Sequence, residues 1–385
     1  MSKPASSKRI YGLDILRAAA ILFVMQSHSL TYLEPIFNVH YYWLFILDGV
    51  SIFFVLSGFL IGGILIKTID NNEASPGNLW QFWIRRWFRT LPNYFLILLM
   101  LLPAYRYAFG QFPDKALQFF SFTQNFASPH PDFFGEAWSL SVEEWFYLLV
   151  PAGLFLLTAL AKAPKRLTIL SWICFVLVSI TCYRLYTNLA HPEYFANHTW
   201  DRYIRKTVLT RMDSIMFGVL GAYLCYYFPK LWNARKNALF IAGILLLFGA
   251  RIMGTLSDFY YQHFDLSVQA IGVLLLLPKL RSISTGKGPA FRFLSFISVI
   301  SYSMYLLNFT IVQKVLIAGI LKVTGANMQS SVAACLLAYT LFWSLTIGLA
   351  YLLYRFYERP MMNLRERFAS KTEEPMPPAD AIPRL

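Results

Sequence analysis

Arg17 and His28 lie on one apolar stretch near the start of the chain, and at 100° per residue they share a helix face to within about 20°. Asp14 falls within about 60° of both on the same wheel. The rise from Arg17 to His28 is about 16 Å, half the hydrocarbon thickness of a bilayer. Ionisable groups inside a membrane span are costly unless they are paired or face a polar cavity. Asp14 reads as the structural partner of Arg17. His28 carries an imidazole able to titrate near neutral pH and reads as a functional group. Further along, Trp80–Arg89 sets Arg86 and Arg89 on one helical face among tryptophans and phenylalanines. Read alone, this is an interfacial anchor whose arginines mark the cytoplasmic side, although paired guanidinium groups also suit phosphates. In Glu136–Tyr147, Ser141 and Glu144 have the spacing of a capping box at a helix start. That leaves Glu143 unexplained, one position inside a span at the outer depth of His28, where it could serve as the partner of an imidazole.

These residues need a membrane to position them. The chain has 385 residues, of which 57% are hydrophobic and only 14% charged, against about 25% charged in a soluble domain. A soluble enzyme and a disordered chain are both excluded. Ten apolar stretches reach the roughly 20 residues that cross a bilayer: 12–33, 41–67, 91–109, 143–161, 167–187, 211–228, 237–254, 259–278, 294–319 and 331–356. With both termini cytoplasmic, most of the 34 lysines and arginines fall on inside segments, as the positive-inside rule requires. The net charge of +14 is therefore mostly a topology signal and does not imply nucleic acid. One outer loop defies the bias with Arg202, Arg205 and Lys206. Either a long loop tolerates the charge, balanced in part by Asp201 and Glu193, or it faces an anionic acceptor.

The expected architecture is an all-α integral membrane protein of about ten transmembrane helices, with no fused soluble domain. Residues 1–11 form a cytoplasmic N-terminal segment, 12–360 the membrane domain, and 361–385 a cytoplasmic, disordered tail rich in proline. Lys8 and Arg9 ahead of an apolar run look like a signal peptide, but Asp14, Arg17, Gln26 and His28 interrupt that run, so it is expected to stay as the first span. Gly58 and Gly62 form a small-xxx-small pair for close helix packing. The four cysteines form no disulfide framework, and no metal-ligand cluster is expected.

Several ordered blocks carry a family resemblance. Gly12–Ala20 with His28 fits an Arg-x10-His pattern at Arg17 and His28. Ser51–Phe59, Arg86-Trp-Phe-Arg89 before Pro92, and Trp138-Ser139-Leu-Ser-Val-Glu143 follow. Arg211-Met-Asp213, Ser301–Leu306 and Tyr357-Glu-Arg-Pro360 complete the order. Over Tyr11–Pro360 the chain resembles the acyltransferase 3 family, bacterial integral-membrane acyltransferases that include surface-polysaccharide O-acetylases. Many relatives place a histidine where this chain has Asn308, an amide that can hydrogen-bond but cannot titrate.

The resemblance implies an inner (cytoplasmic) membrane enzyme with no tightly bound cofactor. Its donor would be cytoplasmic acyl-CoA, usually acetyl-CoA, and its acceptor a glycan or glycolipid on the outer side, both met within the lipid bilayer. On that scheme Arg86 and Arg89 hold the CoA phosphates and His28 is the general base. Glu143 supports His28, and Arg17 lines the donor path or counters developing negative charge. His28 could equally accept the acyl group itself before passing it on. Arg211, Asp213, Trp138, Ser139 and Asn308 belong either to the acceptor side or to the structure. The rival function is a proton-coupled secondary transporter using the Asp14, Arg17 and His28 stripe as a relay, but the inverted repeats common in such proteins are not visible. The oligomeric state is not legible.

Overall fold

The computed structural model describes residues 10–38, 42, 44–196, 199–329 and 331–368, and these contain helices, turns and loops but no strand. Ten helices carry the fold: α1 (Tyr11–Ser29), α2 (Gly49–Asp70), α3 (Pro76–Phe109), α4 (Ala137–Leu160), α5 (Lys165–Ala190), α6 (Asp213–Tyr227), α7 (Lys236–Leu256), α8 (Asp265–Arg281), α9 (Gly288–Leu307) and α10 (Val332–Leu353). Eight helical segments, counting the extensions of α1, α9 and α10, are long and apolar enough to cross a membrane. The other two, α6 and α8, have 15 and 17 residues, short for a bilayer. They lie in the middle of the bundle. All ten expected stretches thus correspond to helices, eight of them of full spanning length.

Burial sorts the helices into a core and a lipid-facing shell. The 18-residue apolar window of α2 is 83% buried, whereas those of α5 and α7 are 22% and 17% buried. Phe175, Val178, Leu245 and Ile252 accordingly point outward, as suits a surface solvated by acyl chains. The closest helix pair is α2 on α6. A Cβ on Gly58 would stand 1.9 Å from the carbonyl oxygen of Ile215, and one on Gly218 would stand 2.1 Å from that of Val55. Gly62 faces Val219 and Ala222 in the next turn. The glycine pair therefore serves the packing expected of it, with the contact supplied by α6.

Several boundaries depart from the expectations, among them the start of α2, at Gly49 and not at 41, and that of α9, at Gly288 and not at 294. The arginine-bearing segment is not a separate interfacial helix, because α3 runs unbroken for 34 residues through Pro92 and Pro103, about 51 Å at 1.5 Å per residue. Helix α4 begins at Ala137, six residues before the expected start. Ser141 consequently caps nothing. Inside the helix it bonds to the carbonyl of Ala137 and receives the amide of Gln124. Helix α10 continues through a π-helical stretch, Tyr354–Glu358, into a last helix, Arg359–Phe368, so 361–368 is helical. The remainder of the expected tail, 369–385, and most of the N-terminal segment lie outside the described residues. All four cysteines are free, with Cys225 and Cys335 buried.

The backbone contact between α2 and α6 predicts the effect of adding one methyl group. Gly58→Ala or Gly218→Ala should destabilise the protein by about 1–3 kcal/mol or more, read as a lower melting temperature in detergent. Gly249→Ala, where no atom lies within 4 Å of the added Cβ, should leave it unchanged.

Candidate active site

Two cavities lie end to end along the bundle. The smaller, about 100 Å³, is lined by Arg17 from α1, Ser57 from α2, Arg86, Arg89 and Thr90 from α3, and Glu143 from α4. The three arginines expected on sequence grounds thus converge on one space. Asp14 faces Arg17 at 3.6 Å and accepts from Ser298 at 2.8 Å, which is the structural pairing expected of it. The Arg86 guanidinium lies 5.7 Å from the centre of the Tyr147 ring, a cation–π distance. Glu143 accepts from Ser57 at 3.0 Å, and Glu144 accepts from Thr90 at 2.8 Å.

This placement corrects the role expected of Glu143. Because α4 starts at Ala137, Glu143 lies about 9 Å inside the helix, at the level of the arginines. Its carboxylate lines the arginine cavity and His28 does not. The partner of His28 is Asn308, with Nδ1 of the ring 2.5 Å from the amide oxygen. The Asn308 amide nitrogen donates to the carbonyls of Met304 and Tyr305, at 3.1 and 2.8 Å, which turns the amide oxygen toward the ring. An oxygen there can only accept, so the hydrogen-bond network assigns the proton to Nδ1 and leaves Nε2 with the lone pair.

His28 opens on the second, larger cavity of about 380 Å³. Asp48, Glu136, Trp138, Arg205, Tyr305 and Phe309 are among its walls. Phe309 packs on the imidazole with ring centres 4.7 Å apart. After Leu307, α9 widens into a π-helical stretch, Asn308–Ile317. Such stretches are frequent at functional sites. Glu136 clasps this one, accepting from the backbone N–H groups of Phe309 and Thr310 at 3.0 and 2.7 Å and from the Thr310 hydroxyl. Ser139 bonds to the Tyr305 hydroxyl at 2.6 Å, on the seam between the two cavities.

Arg211 and Asp213 line neither cavity. They belong to a buried ionic lattice in which Arg184 meets Asp213 at 2.8 Å and Arg211 meets Asp48 at 3.2 Å. The Arg211 guanidinium also donates to Ser51 at 2.6 Å and to Ser214. Asp48, whose side chain caps the first turn of α2 through the Val50 N–H, also meets Arg205 at 3.2 Å. Arg205 in turn pairs with Asp201 at 2.8 Å and lies 5.1 Å from the centre of the Trp138 ring. The basic loop is therefore no loose surface feature, for one of its arginines lines the histidine cavity. Burial pushes the Asp48 carboxyl up, but Arg205 and Arg211 more than offset this and hold it below the ordinary carboxylate range. Sequence reasoning missed Asp48, Glu136 and Tyr305. Only Asp48 had a local signal, an aspartate ahead of a helix start.

Residues 10–355 match the acyltransferase domain that defines the acyltransferase 3 family. The chain belongs to that family. It is similar to "Peptidoglycan O-acetyltransferase OatA" of Listeria monocytogenes, at 27% identity over 92% of this chain and 56% of that protein. It is also similar to SACOL0978 of Staphylococcus aureus strain COL, whose O-acetyltransferase name is itself provisional, at 26% identity over 93% of this chain and 58% of that protein. The chain thus spans a little more than half the length of these curated relatives. No solved structure is significantly similar to it.

The ionic lattice gives a stability prediction. Asp48→Asn removes the carboxylate shared by the buried Arg211 and the partly exposed Arg205, each of which keeps a second carboxylate, and should cost up to about 3–5 kcal/mol at neutral pH. A depressed carboxyl stabilises the fold above its unfolded pKa and loses that contribution as pH falls toward its folded value. The melting temperatures of wild type and variant should accordingly converge in acid, whereas a constant gap down to about pH 2 would contradict the charge-based origin.

Proposed function

We propose that the chain is a membrane O-acyltransferase that moves an acyl group from acyl-CoA to a hydroxyl of a cell-surface glycan or glycolipid. The arginine cavity receives the donor from the cytoplasmic side and the histidine cavity opens outward. Both termini are then cytoplasmic, and the membrane is the inner one. One observation carries this reading: Arg17, Arg86 and Arg89 line one cavity, while His28 lines an adjoining one whose own Arg205 is paired with Asp48 and Asp201. Guanidinium groups bind phosphates and never act as bases at neutral pH. An imidazole fixed in one tautomer is suited to accept a proton. The two-cavity arrangement keeps Arg86 and Arg89 apart from His28.

In the transfer step, Nε2 of His28 takes the proton of the acceptor hydroxyl as its oxygen attacks the thioester carbonyl. The new ester C–O bond forms, the C–S bond breaks, and the proton passes to the departing thiolate of CoA. Asn308 holds the imidazole and stabilises the tautomer that can act. Arg86 and Arg89 bind the phosphates of the donor, which we take to be acetyl-CoA. Arg17 and Glu143 complete the polar lining along which the pantetheine chain reaches the seam. The names of the relatives, O-acetyltransferases, support an acetyl group, and the peptidoglycan named for the Listeria relative supports a cell-wall type of acceptor.

Reconstitution tests this directly. Proteoliposomes holding the full chain should release CoA from acetyl-CoA, and solute flux without thioester loss would favour a transporter instead. Arg86→Ala combined with Arg89→Ala should raise the KM for acetyl-CoA at least tenfold and flatten its salt dependence. Asn308→Ala should leave that KM in place and lower kcat by about 10²-fold.

A further inference from the structure

Among the residues that line the two cavities, Val50 and Tyr305 are common to both. The donor arginines lie on one side of this pair and His28 on the other. Both side chains are buried, at 7% and 8% exposure. Each is held in place. Val50 sits in the first turn of α2, next to Gly49, where an added Cβ would stand 2.2 Å from the carbonyl oxygen of Ala20 on α1. The backbone there is already against α1 and has no room to move toward it. Tyr305 reaches across from α9, and its hydroxyl meets Ser139 at 2.6 Å and donates to the carbonyl of Glu136 at 3.3 Å. The Phe53 ring packs on Tyr305 at 6.3 Å between centres. One turn beyond, Glu136 pins the start of the π-helical stretch.

We infer that Val50 and Tyr305 form a partition between donor and acceptor spaces, and that its width selects short acyl groups over longer ones. The inference rests on the reading that acyl-CoA enters the arginine cavity. A thioester held there meets the hydroxyl activated by His28 only if its acyl group passes between these two side chains. The arginine cavity is the smaller of the two, about 100 Å³ against about 380 Å³, so a longer chain finds less room there to fold away. Apolar crowding of this kind discriminates by about 10–200-fold per methylene. Tyr305 supplies the wall fixed by hydrogen bonds, and Val50 supplies the apolar wall whose bulk can be changed without stranding a polar group.

The test compares acetyl-CoA, propionyl-CoA and butyryl-CoA as donors to the full chain in proteoliposomes, read as CoA release. Val50→Ala should raise the butyryl-to-acetyl ratio of kcat/KM at least tenfold. An unchanged ratio overturns the inference while leaving acyl transfer intact. A second measurement needs no donor and separates the two ideas if wild type consumes no thioester. With the four native cysteines replaced and Ser57→Cys introduced, a membrane-impermeant methanethiosulfonate is applied in turn to each face of sealed vesicles. The thiol at position 57 should react from one face only. Val50→Ala with Tyr305→Ala should raise the rate from the other face at least tenfold while preserving the rate from the first, which also shows that the variant is folded. Equal access from both faces in the wild type, or no gain in the variant, overturns the partition.

Discussion

Charges buried within a protein must be paired or they cost several kcal/mol each, and in this protein Asp48 is where that constraint is met. Standing between Arg205 and Arg211, it neutralises one cation that lines a cavity and one buried in the bundle. It also caps α2, the most enclosed helix, whose glycines in turn admit α6 at backbone contact. Arg211 and Arg184 converge on Asp213 at the head of α6, and Ser267 of α8 donates to the same carboxylate at 2.6 Å. The short central helices are thus held by ion pairs at one end and by close packing along their length. The site is built on the walls that result.

Within that frame, a change of helix type does the positioning. Helix α9 loosens at Asn308 into π-helical geometry, and Glu136 from the head of α4 takes up the backbone donors of the next two residues. Asn308 is left with its amide tied to two carbonyls and its oxygen against His28. A histidine presented on a lone helix would be free to change tautomer. Here three helices fix which nitrogen carries the proton, so the imidazole is prepared as a base before any substrate arrives.

The parts of this arrangement that obey a helical period were legible in the sequence. The apolar stretches, the shared face of Arg17 and His28 and the spacing of Arg86 and Arg89 all follow from 3.6 residues per turn. What failed was pairing between distant segments. His28 and Asn308 lie 280 residues apart, and no local pattern announces that the amide, rather than Glu143, reaches the imidazole. The same blindness misplaced Glu143. Ser141 and Glu144 satisfy a capping rule, but tertiary partners, Gln124 and Thr90, claim both side chains and the helix starts earlier. Separation of Arg17, Arg86 and Arg89 from His28 by Val50 and Tyr305 likewise depends on how four helices meet.

The most direct measurement is the donor affinity of His28→Ala set beside its turnover. If the imidazole acts only on the acceptor hydroxyl, purified His28→Ala binds acetyl-CoA within about twofold of wild type while CoA release in proteoliposomes falls by at least about 10²-fold. Retained turnover, or a loss of donor affinity as large as the loss of rate, would contradict the division of work between the two cavities.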